Sequence, residues 1–241
     1  MKKAIISFIF VFPLLLSAQL FEGEEFEYSS EWIWGINKNT NGGLIGGLML
    51  RHSRKKADDV YHTFGLELSN VKHPSEARYI GLSGAGFIYG KSNYLYAIRT
   101  NYGLEKLMFR KANQQGVQIS FAVAGGPTFG LVTPYYYLSA DQTYKVYGPV
   151  NDSNPPSYPS PESFAGPGKL FQGLGEADFE LGFHTKGSIF FEFGTYRSNV
   201  AGVEVGVMAE AFTKEIELVP SQPNKSVFTS VFFTLFWGTR K

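Results

Sequence analysis

The 241-residue chain contains no cysteine. That excludes disulfides, thiolate metal sites and a lipid-modified cysteine anchor. Charge is scarce as well: Asp, Glu, Lys and Arg make up 18% of the residues, against ~25% in ordinary soluble domains. The formal net charge of +1 gives no reason to expect nucleic acid or a polybasic membrane contact. Beyond Leu16 no run of 18 apolar residues occurs, so no membrane-spanning helix is expected there. Helical periodicity is nearly absent. The histidines His52, His62, His73 and His184 fall in no metal-binding spacing. Gly42-Gly43, Gly46-Gly47 and Gly125-Gly126 open no helix whose dipole could bind phosphate, and read as bends or close approaches. No cofactor is implied by any of this.

What the chain has instead is aromatic residues, at 16%, and 27 glycines. It opens with Met1-Lys2-Lys3, runs apolar from Ala4 to Leu16 across Pro13, and reaches Ser17-Ala18 before Gln19. That order of charged, apolar and small residues is a secretory signal, with cleavage expected after Ala18 and a mature domain over 19–241.

The mature part reads as segments of about ten residues that alternate apolar and polar, separated by turn chemistry. Eight strands are expected, over 26–37, 43–52, 61–71, 93–110, 117–133, 187–197, 201–213 and 226–238. On the first, Phe26, Tyr28, Trp32, Trp34 and Ile36 oppose Glu27, Ser29, Glu31 and Gly35. Later strands repeat the pattern: Phe64, Leu66 and Leu68 against Glu67, or Val203, Val205 and Val207 against Glu204 and Glu210. The eighth is apolar on both faces. An even number of such strands predicts an all-β fold, an antiparallel up-and-down transmembrane β-barrel in a bacterial outer membrane. A soluble ligand-binding barrel is the alternative if the outward aromatic residues instead line a lumen.

With the N-terminus in the periplasm, the links 53–60, 111–116 and 198–200 fall inside. The links 38–42, 72–92, 134–186 and 214–225 fall outside, so the long loops share one side, as such barrels require. Loop 134–186 carries six prolines between Pro149 and Pro167, so it lacks the material for a core. Its aromatic residues, Tyr144, Tyr147, Tyr158, Phe164 and Phe171 among them, offer rigid contact area to a partner.

Inward positions hold Glu27, Glu31, Glu67, Glu192, Glu204 and Glu210 with Arg51 and Arg99, and Glu31, Glu67, Glu192, Glu204 and the two arginines make the candidate lumen cluster. A charge facing lipid is costly, so these residues should pair across a lumen too narrow for anything but side chains. The expectation is a salt-bridged structural plug. Glu192 and Glu204, on adjacent strands, could instead form a carboxylate pair, and an ion path would make the barrel a narrow pore. His73-Pro74-Ser75-Glu76 has a histidine and a serine two residues apart, as in barrel enzymes that deacylate lipid A; the intervening proline and the adjacent glutamate depart from that pattern.

In Leu14-Leu15-Leu16-Ser17-Ala18 before Gln19, in Val203-Glu204-Val205-Gly206-Val207, and in the ending Leu235-Phe236-Trp237-Gly238-Thr239-Arg240-Lys241, the chain resembles small outer-membrane β-barrel proteins of Bacteroidota. Four residues follow Trp237, a departure from barrels that end on an aromatic residue. The resemblance implies a non-enzymatic accessory subunit of outer-membrane secretion or assembly machinery. Its partners would be other outer-membrane proteins, with lipopolysaccharide and phospholipid around the wall. A lipid A-modifying enzyme and a narrow pore are the alternatives.

Overall fold

In a computed structural model, residues 28–42, 46–110, 116–149, 157–169, 172–193 and 198–241 are described. The expected signal at 1–18, Phe171, and the inward Glu27 lie outside them.

Eight long strands close on themselves: β1 (Ser30–Asn39), β2 (Gly47–Ala57), β3 (Val60–Val71), β6 (Asn93–Phe109), β7 (Gln118–Pro134), β11 (Asp178–Glu192), β12 (Asn199–Ile216) and β13 (Lys225–Arg240). Each pairs antiparallel with its chain neighbour, and β1 closes the barrel against β13 through the register Glu31↔Arg240 to Asn39↔Phe232. Closure leaves no unpaired edge, which is what a sheet in hydrocarbon requires. The fold is the expected antiparallel up-and-down transmembrane barrel.

Alternation decides which residue meets which medium, because successive side chains point to opposite faces. Trp32, Trp34, Leu48, Leu50, Phe64, Leu66, Leu68, Phe121, Val123, Val205, Val207, Phe233 and Leu235 are all exposed on the outer wall. Their sequence neighbours Ile33, Met49, Arg51, Glu67, Ala122, Glu204 and Thr234 are buried inside. The same rule resolves β13: Phe228, Phe232 and Phe236 point in, while Val227, Val231 and Trp237 point out. Small residues let strands approach where a side chain would collide. A Cβ on Gly126 would lie 2.0 Å from the Thr100 carbonyl oxygen.

The structure corrects the expected strands most at β11, at β2 and at Tyr28. β11 starts at Asp178, not 187, because Phe179, Leu181 and Phe183 continue the outward apolar face above Thr185 and Gly187. β2 occupies 47–57 rather than 43–52. Tyr28 is not on the outer face; it lies before β1 and is buried, stacked on Tyr61 with ring centroids 4.5 Å apart.

Both chain ends of the barrel wall and the β2–β3, β6–β7 and β11–β12 links lie at one end, here the turn end. The other four links lie at the opposite, loop end. Two of these are folded rather than structureless. β4 (Arg78–Ile80) and β5 (Gly86–Ile88) form a hairpin, and β8 (Tyr136–Ser139), β9 (Tyr144–Val146) and β10 (Phe164–Pro167) form a sheet in the order β10-β8-β9. The expected coreless loop 134–186 therefore has a core: Tyr135, Tyr137, Tyr147 and Phe164 bury against Phe87.

Candidate functional site

The lumen holds two chains of alternating charge. At the turn end, Arg240 donates from Nη2 to Glu31 Oε2 at 2.7 Å and also bonds Glu192. Arg51 continues from Glu31 at 3.6 Å to Glu105 at 3.3 Å. Nearer the loop end, Lys186 lies 3.4 Å from Glu204 and 3.5 Å from Glu67. Arg99 bonds Glu67 at 3.1 Å and Glu210 through both oxygens, at 2.6 and 2.8 Å. Each cation is thus held between two carboxylates, and each series runs acid, base, acid, base, acid.

Apolar rings finish the seal. The Arg51 guanidinium carbon sits 3.9 Å over the Phe190 ring, Arg240 4.2 Å over Tyr28, and Lys186 5.1 Å over Phe232. Such contacts favour cations in a desolvated site. His184 bridges Thr128 and Asn101, each at 2.9 Å. At the loop end Val71, Leu95, Phe212, Ile216, Leu218, Val219 and Phe228 pack into an apolar stopper. Among the described residues, a cavity of about 20 Å³ remains where Arg51, Lys186, Ser188, Phe190 and Glu204 meet. That is room for about one water, not a channel.

Of the lumen residues expected from the sequence, the first series takes Glu31, Arg51 and Glu192, the second Glu67, Arg99, Glu204 and the inward Glu210. Glu192 and Glu204 do not form a carboxylate pair. The β11–β12 register sets Phe190 opposite Glu204, and each carboxylate goes to its own cation. Lys186, Arg240 and Glu105 were missed, although each continues its strand's inward parity by a few residues. Lys186 lay in a stretch read as loop, Arg240 beyond the expected end of the last strand, and Glu105 two residues past Gly103 on β6.

The aromatic residues of the long loop divide between core and surface. Tyr144 and Tyr158 stay partly exposed, at 39% and 38%. Tyr147 and Phe164 are buried and are corrected from contact residues to core. Phe164 stacks on Phe87 at 4.7 Å and meets Tyr137 at 3.9 Å, while Tyr147 stacks on Tyr158 at 5.4 Å. Burial, and then the Tyr89 hydroxyl, push the Tyr147 hydroxyl well above the ordinary tyrosine range. The surface signal that sequence reading missed is the tip of the β4–β5 hairpin, where Ile80 is 81% and Leu82 70% exposed, with Tyr79 beside them. This tip is fixed. Leu82 and Ser83 donate backbone N–H groups to the Phe164 and Ala165 carbonyls at 3.2 and 2.9 Å. A Cβ on Gly81 would come within 2.4 Å of the Ala165 oxygen.

The His73-Pro74-Ser75-Glu76 turn is not assembled for catalysis. A nucleophile needs its hydroxyl within hydrogen-bond reach of a base. Here the Ser75 backbone N–H occupies His73 Nδ1 at 3.2 Å, and the Ser75 hydroxyl lies 3.5 Å from Gln222 Oε1. Glu76 accepts from the His73 N–H at 3.1 Å and from Lys91 Nζ at 2.5 Å. Lys91 is fully buried and lies 4.7 Å over Tyr94, so Glu76 is its counter-ion. Burial, then the charge of Lys225, lower the His73 pKa below the ordinary value. No group of three or more His, Asp or Glu among the described residues could hold a metal ion.

Architecture and wall together define the class: a small transmembrane β-barrel with a charge-packed lumen. Among solved structures the chain is similar to Ail, the attachment invasion locus protein of Yersinia pestis, solved with the heparin analogue sucrose octasulfate. Identity is 9% and the TM-score 0.38, over 89% of this chain and 99% of that one. It is also similar to Neisserial surface protein A, at 9% identity and a TM-score of 0.33, over 91% of this chain and 98% of that one. No protein-family model and no curated protein matches the chain.

Proposed function

We propose that this chain is a non-enzymatic outer-membrane subunit: a barrel closed by its own charges that carries a folded external cap for docking another outer-membrane protein. The observation that carries this reading is the cap. Unstructured loops would lose conformational freedom on binding, whereas a platform with a buried aromatic core meets a partner at lower entropic cost. Its most exposed apolar side chains, Ile80 and Leu82, stand on a tip pinned to β10 by backbone hydrogen bonds. The role as accessory subunit of a secretion or assembly machine is what the resemblance implies, and that surface together with the sealed lumen supports it. The sealed lumen speaks against the narrow pore, and the geometry of Ser75 against lipid A deacylation.

The test is purification from native membranes in mild detergent, comparing the natural chain with an Ile80→Glu/Leu82→Glu variant. The natural chain should bring down a stoichiometric partner and the variant should lose it, with both barrels folded. A monodisperse monomer from the natural chain, or equal recovery with both, overturns the docking role.

A further inference from the structure

We infer that Arg54, Lys56 and Lys106 form a binding surface for anionic phospholipid headgroups in the leaflet at the turn end of the barrel. The inference rests on the reading of the barrel as membrane-spanning.

Net charge conceals this feature, because among the described residues six glutamates inside the barrel face only four bases, while Arg54, Lys56 and Lys106 stand outside it. On β2 the outward positions run Leu48, Leu50, His52, Arg54 and Lys56, so two bases follow directly on the apolar wall. On β6 the outward Lys106 lies between exposed Leu104 and Met108. The register joins them across β3: Arg54 is opposite His62, and Val60 is opposite both Ala57 and Lys106. With neighbouring strands ~5 Å apart, the three bases fit the footprint of one or two headgroups.

Two further observations locate the patch at a membrane boundary. Trp32 stacks on His52 at 4.4 Å, and the Tyr102 hydroxyl meets His62 Nδ1 at 2.9 Å beside Phe64. Rings with an apolar body and a polar tip collect where hydrocarbon gives way to headgroups. The local acids are engaged elsewhere: Asp58 faces Lys55 at 3.7 Å and Asp59 bonds Arg110 at 2.5 Å. Arg54, Lys56 and Lys106 make no ion pair with any described residue. A lysine among apolar neighbours can lay its stem on the wall and carry its ammonium to the phosphate level. Phe64 and Leu104, on the membrane side of Lys106, then lie against the acyl chains, so the ligand is a whole phospholipid rather than free phosphate.

The three tryptophans, Trp32, Trp34 and Trp237, all lie on the outer wall of β1 and β13, next to β2, and serve as the reporter. The full barrel is reconstituted at low salt in phosphatidylcholine vesicles containing increasing dibromo-phosphatidylglycerol or, separately, dibromo-phosphatidylcholine. Fluorescence quenching is compared at equal mole fraction. Bases near an anionic surface each strengthen attraction about fivefold at most, so phosphatidylglycerol should half-quench at a several-fold lower mole fraction. The preference should fall away at high salt and in Arg54→Gln/Lys56→Gln/Lys106→Gln. It should persist in Lys38→Gln/Lys214→Gln, which removes bases from the other end. Far-ultraviolet circular dichroism checks that each variant is folded, and the single Arg54→Gln replaces the triple if the triple is not. Equal quenching by both lipids, or a preference unaltered by the variants, overturns the lipid surface and leaves the spanning reading intact. No quenching by either lipid overturns both.

Discussion

Replacing Arg99 by leucine tests whether the lumen charges hold the barrel shut. Arg99 is 1% exposed, and its two partners, Glu67 and Glu210, are each 2% exposed. Glu67 would keep Lys186 at 3.5 Å, but Glu210 would lose a two-pronged bond at 2.6 and 2.8 Å. Removing one partner of a buried pair costs about 3–5 kcal/mol, because the remaining charge stays desolvated. A similar figure, about 4 kcal/mol, follows from two unit charges ~4 Å apart at an effective dielectric of ~20. Urea unfolding in phosphatidylcholine vesicles, followed by the three wall tryptophans, reads the loss directly. Arg99→Leu should lower the unfolding free energy by about 3–5 kcal/mol. Arg99→Leu/Glu210→Leu should recover at least half of that, since apolar replacement of both partners is often neutral. A loss of less than about 1 kcal/mol in the single variant, within the range of an exposed pair, would refute the buried-pair reasoning. So would a double variant no more stable than the single.

Three other changes probe separate parts of the molecule. Phe164→Ala removes the ring at the centre of the cap, where Phe87, Tyr137 and Tyr147 meet it. It should destabilise the cap by about 3–5 kcal/mol, seen as protease cleavage within 135–177 on whole cells while the barrel keeps its heat-modifiable gel shift. Gly126→Val places a side chain where a Cβ already comes within 2.0 Å of the Thr100 oxygen; refolding yield in vesicles should collapse, and normal yield would mean β6 and β7 can separate there. The Asp141 carboxyl is held well below the usual carboxylate range, first by Lys145 Nζ at 2.5 Å and then by Thr143. A lowered folded pKa stabilises the β8–β9 turn above the unfolded carboxylate pKa, and that support is lost as pH falls through the folded value. Carboxyl ¹³C titration should show the depressed midpoint, and Lys145→Gln should move it back toward the ordinary value of ~3.9.

Barrel strands were legible because lipid and lumen impose opposite demands at every second residue. Trp32, Trp34 and Ile36 against Glu31 and Ile33 is a pattern that few other folds need. Legibility failed where the alternation weakened. Thr185 and Gly187 carry no apolar side chain on the outward face of β11, so the sequence pattern places the start of the strand at Gly187 and leaves Lys186 in a loop. In β13 the inward phenylalanines share the hydrophobicity of the outward wall, and only the barrel register separates Phe232 from Phe233. The cap was hidden for another reason. Its strands are three or four residues long, and Phe164 reaches Phe87 across 77 positions of sequence. Proline content described the chain between those strands, not the aromatic residues that pack.

Lumen and cap obey different rules, which bears on where activity resides. The lumen spends its ionisable groups on one another: every base is flanked by two acids, and the cavity beside Glu204 admits about one water. A substrate would have to break several buried pairs to enter, at several kcal/mol for each. At the loop end the balance is reversed. Large apolar side chains, Ile80 and Leu82, are left exposed on a tip whose Leu82 and Ser83 N–H groups are bonded to β10. Such side chains gain free energy only when something covers them. The proposed docking role therefore rests on the loop end, where exposed apolar side chains stand ready to be covered, and not on the lumen, where the charges are already paired.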